Sequence, residues 1–145
     1  MDWVYNDGGR KNAGYQGDAR DCVTRAVAIV TGLPYNEVYK MVWKEKADYF
    51  LKNYPNMGKV SGSPRNGVPK KVTRKVMEKL GWSWTPTMGF GTGCTVHVKK
   101  EELPAGIIML QLSKHVCAVI DGIIHDTYDC SRGGTRCVYG YWSKS

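Results

Sequence analysis

The sequence has no apolar run long enough to cross a membrane, and residues 1–7 lack the basic and then apolar pattern of a signal peptide. It also contains no internal repeat and no low-complexity tract. We therefore expect a cytoplasmic location, no membrane contact and mostly reduced cysteines. The cysteines number five, and an odd count further disfavours a closed disulfide framework.

The motifs of two common kinds of cofactor site are missing as well. No Cys-x-x-Cys pair is present, and the spacings of Cys94, His97, Cys130 and Cys137 match no common structural zinc site. We interpret these cysteines as loop or core residues. The glycine-rich residues 89–93 are followed by neither Lys-Ser/Thr nor a helix, which excludes a phosphate-binding loop. The sequence thus predicts no cofactor and no metal.

The composition is that of one globular domain spanning residues 1–145, with 42% hydrophobic and 23% charged residues. A formal net charge of +8 favours an acidic partner or nucleic acid, although a solvated basic surface is the alternative. No basic run is long enough for a nucleic-acid arm. The densest basic clusters are Lys70, Lys71, Arg74 and Lys75, and Lys99 with Lys100.

Helical periodicity occupies the first half of the chain and strand-like runs occupy the second. Residues 1–15 read as a short strand or extended arm held by aromatics, and residues 54–69 as a surface loop that serves as a substrate lid or a plain connector. The predicted helices are residues 22–31, 35–54 and 70–80, and the predicted strands are residues 82–85, 95–98, 107–112, 115–120, 123–128 and 136–142. This order predicts an α+β fold in which N-terminal helices pack on a C-terminal antiparallel sheet.

Cys22 stands where a polar loop becomes the first predicted helix. Asp21 is a suitable N-cap for that helix. A thiol in the first helical turn faces the positive end of the helix dipole, which favours the thiolate. Six residues earlier, Gln16 offers a side-chain amide that can donate a hydrogen bond over the loop.

A second signal is the pair Asp121–Gly122 between two apolar runs, which predicts a two-residue type I′ hairpin. In that register His115 and Asp126 lie on one face as diagonal neighbours, and His125 points to the other face. A carboxylate there can hold the imidazole in its charged form. A structural core histidine is the alternative. The same parity places Cys117 beside His115 and places Asp129, another candidate partner, on the wrong face.

The chain resembles the papain-like cysteine peptidases in the order and placement of four residues. These are Gln16, Cys22 at a helix start, His115 on a strand and Asp126 on the next strand. The resemblance is closest to the compact bacterial bacteriocin-processing peptidase domains. It implies a papain-like fold, a protein or peptide substrate, and Cys22 as nucleophile with His115 as general base and then acid. Asp126 would orient His115, and Gln16 with the Cys22 N–H would form the oxyanion hole. A peptidase or isopeptidase is expected first; an acyl transferase, transglutaminase or deamidase uses the same residues.

Residues 17–39, which contain the motif Asp-Cys-Val-x-Arg-Ala, are also similar to short phage and bacterial proteins. That similarity implies a bacterial or phage-infected host cell and carries no activity. It leaves a second class of function open. In that class the chain is a non-catalytic, phage-type basic protein that binds nucleic acid or a host protein.

Overall fold

The computed structural model describes residues 1–17, 20–55, 63–65, 67–89 and 91–144. Residues 56–62 and 66 of the expected lid or connector lie outside this description. The described residues form an α+β fold, and their helices include none with the length and apolarity needed to cross a membrane. The helices are α1 (Cys22–Thr31), α2 (Tyr35–Asn53) and α3 (Lys70–Lys79). The strands are β1 (Trp3–Tyr5), β2 (Trp82–Pro86), β3 (Ile107–Leu112), β4 (His115–Ile120), β5 (Ile123–Asp126) and β6 (Gly140–Lys144).

Helix α1 has the predicted bounds, and its apolar spacing marks the buried face. Val23, Val27 and Val30 recur at three- and four-residue intervals, and all three are buried. The helix ends at Gly32, whose φ of 72° allows its N–H to bond to the Ala28 carbonyl at 3.0 Å. The buried face of α1 packs mainly on β4, which brings the N-terminus of the helix against the sheet.

The six strands follow the order β1-β5-β4-β3-β6-β2, so β4 is central. The prediction of an antiparallel sheet is wrong at one edge, because β1 runs parallel to β5 and the sheet is therefore mixed. In that pairing Trp3 lies opposite Ile124 and Tyr5 opposite Asp126. A strand of three residues has too few positions for a periodic signal, which is why the sequence predicted only a short strand or arm there.

The β4–β5 hairpin has the predicted register. Asp121 and Gly122 have φ values of 47° and 78°, as both central residues of a type I′ turn require. Ile120 pairs with Ile123, and Ala118 pairs with His125. The hairpin turn thus places the beginning of β4 beside the end of β5.

Two strand predictions are wrong in their bounds by two residues or more, and one predicted strand is not formed. Strand β5 ends at Asp126 and not at residue 128, and β6 begins at Gly140 and not at residue 136. Residues 95–98 form no strand; they contribute an isolated antiparallel bridge to residues 136–138. In this bridge Val98 N donates to Arg136 O at 2.9 Å, and Val138 N donates to Val96 O at 2.8 Å. The backbone of residues 136–138 is consequently used by a loop rather than by the sheet.

Two apolar clusters lie on the two faces of the sheet. The helical side includes Val27, Val38, Met77, Met109 and Trp142. The other side, covered by loops, includes Val98, Leu110, Val119, Ile124 and Val138. The central strands are therefore covered on both faces, and polar groups at their ends are withdrawn from solvent.

Candidate active site

Cys22 is the first residue of α1, and its side chain is half-buried. The backbone N–H groups of a first helical turn have no partner within the helix, so they are available to a negative charge near the thiol. The sequence-based placement of the thiol at the start of a helix is confirmed.

Asp21 does not act as predicted, because its side chain makes no capping hydrogen bond. The carboxylate is instead 1% exposed and accepts a hydrogen bond from the Tyr35 hydroxyl at 2.6 Å. It also pairs with Arg10, whose Nε lies 3.1 Å away, and with Arg25. Burial and the bond to this carboxylate raise the pKa of Tyr35. Asp21 thus ties the loop before α1 to the first turns of α1 and α2.

His115 and Asp126 meet as the hairpin register predicts. His115 is the first residue of β4 and Asp126 the last of β5, and both are buried. The imidazole Nε2 donates to Asp126 Oδ2 at 2.6 Å. His125 points the other way, and its Nδ1 lies 3.2 Å from the amide nitrogen of Asn6. The parity argument therefore selected, among the three histidines, the histidine that pairs with an aspartate in the part of the chain that the structure describes.

The second oxygen of Asp126 is also engaged. Oδ1 accepts the Thr127 backbone N–H at 2.7 Å and lies 3.7 Å from Arg25 Nη2. Because Arg25 also pairs with Asp21, it joins the loop before Cys22 to the hairpin that carries His115. Asp129, the other candidate partner, is occupied by the backbone N–H and hydroxyl of Ser131 at 3.0 and 2.7 Å.

The environment of His115 favours its charged form. Burial lowers the pKa of the imidazole, but hydrogen bonds to the Asp126 carboxylate and to the thiols of Cys130 and Cys22 outweigh burial and raise the pKa to about 11. The ring of Tyr128 covers it, with the two ring centroids 5.2 Å apart. At neutral pH His115 is therefore an imidazolium ion that faces two thiols.

Cys130 is a site residue that sequence reasoning missed. Its Sγ, a nitrogen of His115 and a carboxylate oxygen of Asp126 all lie within 4.8 Å of one another. Hydrogen bonds from Cys117 and from His115 lower the pKa of Cys130, although burial acts in the opposite direction. The hydrogen bond between the two thiols raises the pKa of Cys117. Both thiols are 1% exposed. Cys130 follows β5 in a loop, where the alternation of a strand does not predict the direction of a side chain.

Gln16 lies in the exposed loop before α1. Its backbone carbonyl accepts hydrogen bonds from Arg10 Nη2 at 3.2 Å and Arg65 Nη2 at 3.0 Å. Arg20 N also donates to Arg65 O at 2.9 Å, so residues 63–65 hold the backbone on the N-terminal side of Cys22. The role of the Gln16 side-chain amide stays a prediction.

A basic cleft is linked to the backbone of His115 through one of its wall residues. It has a volume of about 220 Å³, and one wall is Gln111, whose Nε2 donates to the His115 carbonyl at 3.4 Å. Lys70 Nζ lies 4.8 Å above the ring of Tyr139 at the same cleft. The other walls come from Lys71, Thr73, Arg74, Trp84 and Trp142. We call this feature the basic cleft.

The expectation that the cysteines are mostly reduced and lie unpaired in loops or the core is wrong for one pair. Cys94 and Cys137 form a disulfide, and their Cα atoms are 5.8 Å apart. The bridge between His97 and Cys137 brings the two segments together across 43 residues, a separation that leaves no local signal in the sequence. Cys22, Cys117 and Cys130 are free thiols.

No protein-family model, curated protein or solved structure matches the chain.

Proposed function

We propose that the chain is a cysteine-dependent hydrolase, a peptidase or isopeptidase of papain-like arrangement, in which Cys22 is the nucleophile. One observation carries the proposal: His115 is hydrogen-bonded to the buried Asp126 carboxylate and interacts with a half-buried thiol at a helix N-terminus. The three groups come from α1, β4 and β5, which is the chain order and layout of the papain-like enzymes that the sequence resembles.

In the proposed reaction the proton of the Cys22 thiol passes to the imidazole of His115, which leaves a thiolate facing an imidazolium. The Cys22 thiolate attacks the substrate carbonyl, and a carbon–sulfur bond forms while the carbonyl electrons move to oxygen. The Cys22 N–H and the Gln16 amide donate hydrogen bonds to this oxyanion. His115 then gives its proton to the leaving amine, and the carbon–nitrogen bond breaks. The neutral imidazole next takes a proton from water, whose oxygen attacks the thioester and releases the acid and the thiolate. An amine in place of that water gives acyl transfer.

Access decides between the two thiols that face His115. Cys130 has the lowered pKa, but it is 1% exposed, and a peptide carbonyl cannot approach it without opening the core. Cys22 is half-buried and lies at the edge of the helix layer. We therefore assign the nucleophile to Cys22 and a supporting position beside the imidazole to Cys130.

The basic cleft supports a substrate with acidic side chains. Lys70, Lys71 and Arg74 present positive charge there, and Trp84 and Tyr139 supply apolar rings. Gln111 links one wall of the cleft to the backbone carbonyl of His115 at 3.4 Å. Part of the net charge of +8 would then bind substrate, and a positively charged cleft favours a protein or peptide segment rich in aspartate and glutamate.

The test is the rate at which iodoacetamide alkylates each free thiol, followed by mass spectrometry between pH 5 and 9. Cys22 should react fastest near neutral pH because it is the accessible thiol and is paired with an imidazolium. The variant His115→Ala should slow the reaction at Cys22 by about tenfold or more, since the pairing charge is lost.

His125→Ala is the matched control, because His125 lies on the other face of the same hairpin and interacts with Asn6. It should leave the rate at Cys22 unchanged. Equal effects of the two histidine substitutions, or a Cys22 that reacts like an ordinary exposed thiol, would refute the assignment. A Cys22 that reacts slowly while Cys130 reacts fast would transfer the nucleophile to Cys130.

A further inference from the structure

A second cluster of metal-binding side chains lies at the bridge between residues 95–98 and 136–138. The Sγ atoms of Cys94 and Cys137 and an imidazole nitrogen of His97 are all within 4.8 Å of one another. His97 pairs directly with Cys137 in the backbone bridge. This cluster is distinct in residues and elements from the one that contains His115.

The distances within the cluster suit one metal ion. Cys94 Sγ is 3.4 Å from His97 Nε2. A tetrahedral zinc ion with Zn–S of about 2.3 Å and Zn–N of about 2.05 Å separates the two ligand atoms by about 3.5 Å. Thiolate and imidazole are the ligands that zinc prefers in proteins. The Cys94–His97 separation is therefore already that of a zinc site.

The imidazole of His97 is oriented as in a metal ligand. Its Nδ1 lies 3.1 Å from Glu102 Oε1, which leaves Nε2 directed at the Cys94 sulfur. A carboxylate behind a histidine fixes the tautomer that presents a lone pair to the metal and increases the basicity of that nitrogen.

The backbone holds these residues together without the disulfide. Two backbone hydrogen bonds flank the pair His97–Cys137. Val98 N donates to Arg136 O at 2.9 Å, and Val138 N donates to Val96 O at 2.8 Å. Because these bonds do not involve sulfur, reduction of the disulfide leaves His97 beside Cys137, and Cys94 lies three residues before His97 in the same segment.

We propose that Cys94, His97 and Cys137 bind a zinc ion when the Cys94–Cys137 disulfide is reduced, so that a metal cross-link replaces a covalent one. A dithiol reductant supplies two electrons and two protons to the disulfide and becomes a disulfide itself. Zinc then displaces both thiol protons, because the ligands are thiolates. Cys94 is exposed and the other two ligands are half-buried, so water completes the tetrahedron.

The experiment titrates zinc chloride alone into the reduced full chain, in competition with a chromophoric chelator. The reduced protein should bind one zinc ion per chain, and the oxidised protein should not bind zinc at this cluster. His97→Gln should weaken binding more than 100-fold, because loss of a ligand exceeds the 10- to 100-fold effect of an outer-shell change. Glu102→Gln should weaken it by about tenfold. Circular dichroism verifies that His97→Gln, which keeps both cysteines, is folded.

Cys130→Ser and His125→Gln are the controls. His115, Asp126 and Cys130 are the other described group whose ligand atoms lie within 4.8 Å, so Cys130→Ser shows whether zinc binds there. Both controls should retain the wild-type affinity. The proposal is overturned if the reduced protein binds no zinc, if His97→Gln binds as tightly as the wild type, or if Cys130→Ser abolishes binding.

Discussion

Replacing Asp126 with asparagine removes the charge that holds His115 in its protonated form and keeps the side-chain shape. The two groups are buried and 2.6 Å apart. Removing one partner of a buried ion pair costs about 3–5 kcal/mol. Because one pKa unit corresponds to about 1.36 kcal/mol, the same loss lowers the pKa of His115 by about 2 to 4. From about 11 in the wild type, the pKa in Asp126→Asn should therefore fall to about 7 to 9.

The assay is an NMR titration of the histidine ring protons from pH 5 to 10. In the wild type the His115 signals should not titrate over most of this range, whereas in Asp126→Asn they should show a complete transition. Asp129→Asn is the matched control, because that carboxylate is bonded to Ser131 and should leave His115 unchanged. A wild-type His115 that titrates near pH 6.5 would refute the argument, and so would an identical titration in the Asp126 variant.

The same pKa has a consequence for stability with a definite sign. His115 binds its proton more tightly in the folded state, so its contribution is complete below the unfolded pKa of about 6.5 and is lost as pH rises toward 11. Between these values the contribution of His115 to the wild-type free energy of unfolding should fall with pH. In Asp126→Asn this fall should end at pH 7 to 9, as urea unfolding at several pH values would show.

Two further predictions concern the basic cleft and the packing of β6. Poly-L-glutamate should slow the alkylation of Cys22 severalfold by occupying the basic cleft. Poly-L-lysine should not slow the wild-type protein, and poly-L-glutamate should not slow the variant Arg74→Glu. An alkylation rate that does not respond to poly-L-glutamate would contradict the proposed substrate class. Gly140→Ala should lower the free energy of unfolding by about 1–3 kcal/mol in urea, because a Cβ there overlaps the indole of Trp84. Gly89→Ala, at an open position without positive φ, should change it by less than about 0.5 kcal/mol, and equal losses would refute the packing argument.

The parts of the site that the sequence predicts are those set by local geometry. The Asp121–Gly122 turn determines the register of one hairpin, and register with parity is enough to bring His115 to Asp126. The residue type of Asp21 predicts the start of α1 at Cys22, and the helix begins there although the Asp21 side chain makes no capping hydrogen bond. In each case the signal and the structure it specifies lie within a few residues of each other.

The parts that the sequence did not predict depend on contacts between distant segments. Asp21 has the residue type of an N-cap, yet Arg10 and Tyr35 approach it from two other segments and use its carboxylate in a buried network. Cys130 reaches His115 from a loop, to which neither the period of a strand nor that of a helix applies. The Cys94–Cys137 pair likewise depends on a bridge between segments that have no pattern in common.

The position of β6 between β3 and β2 means that the sheet is completed only after the β4–β5 hairpin has been made. The β4–β5 hairpin is local and can join His115 to Asp126 as soon as it leaves the ribosome, since hairpins form within microseconds. The sheet against which α1 packs is incomplete until residues 140–144 have been made. Cys22 is made long before His115, so the nascent chain carries the Cys22 thiol without that imidazole until residue 115 has been added.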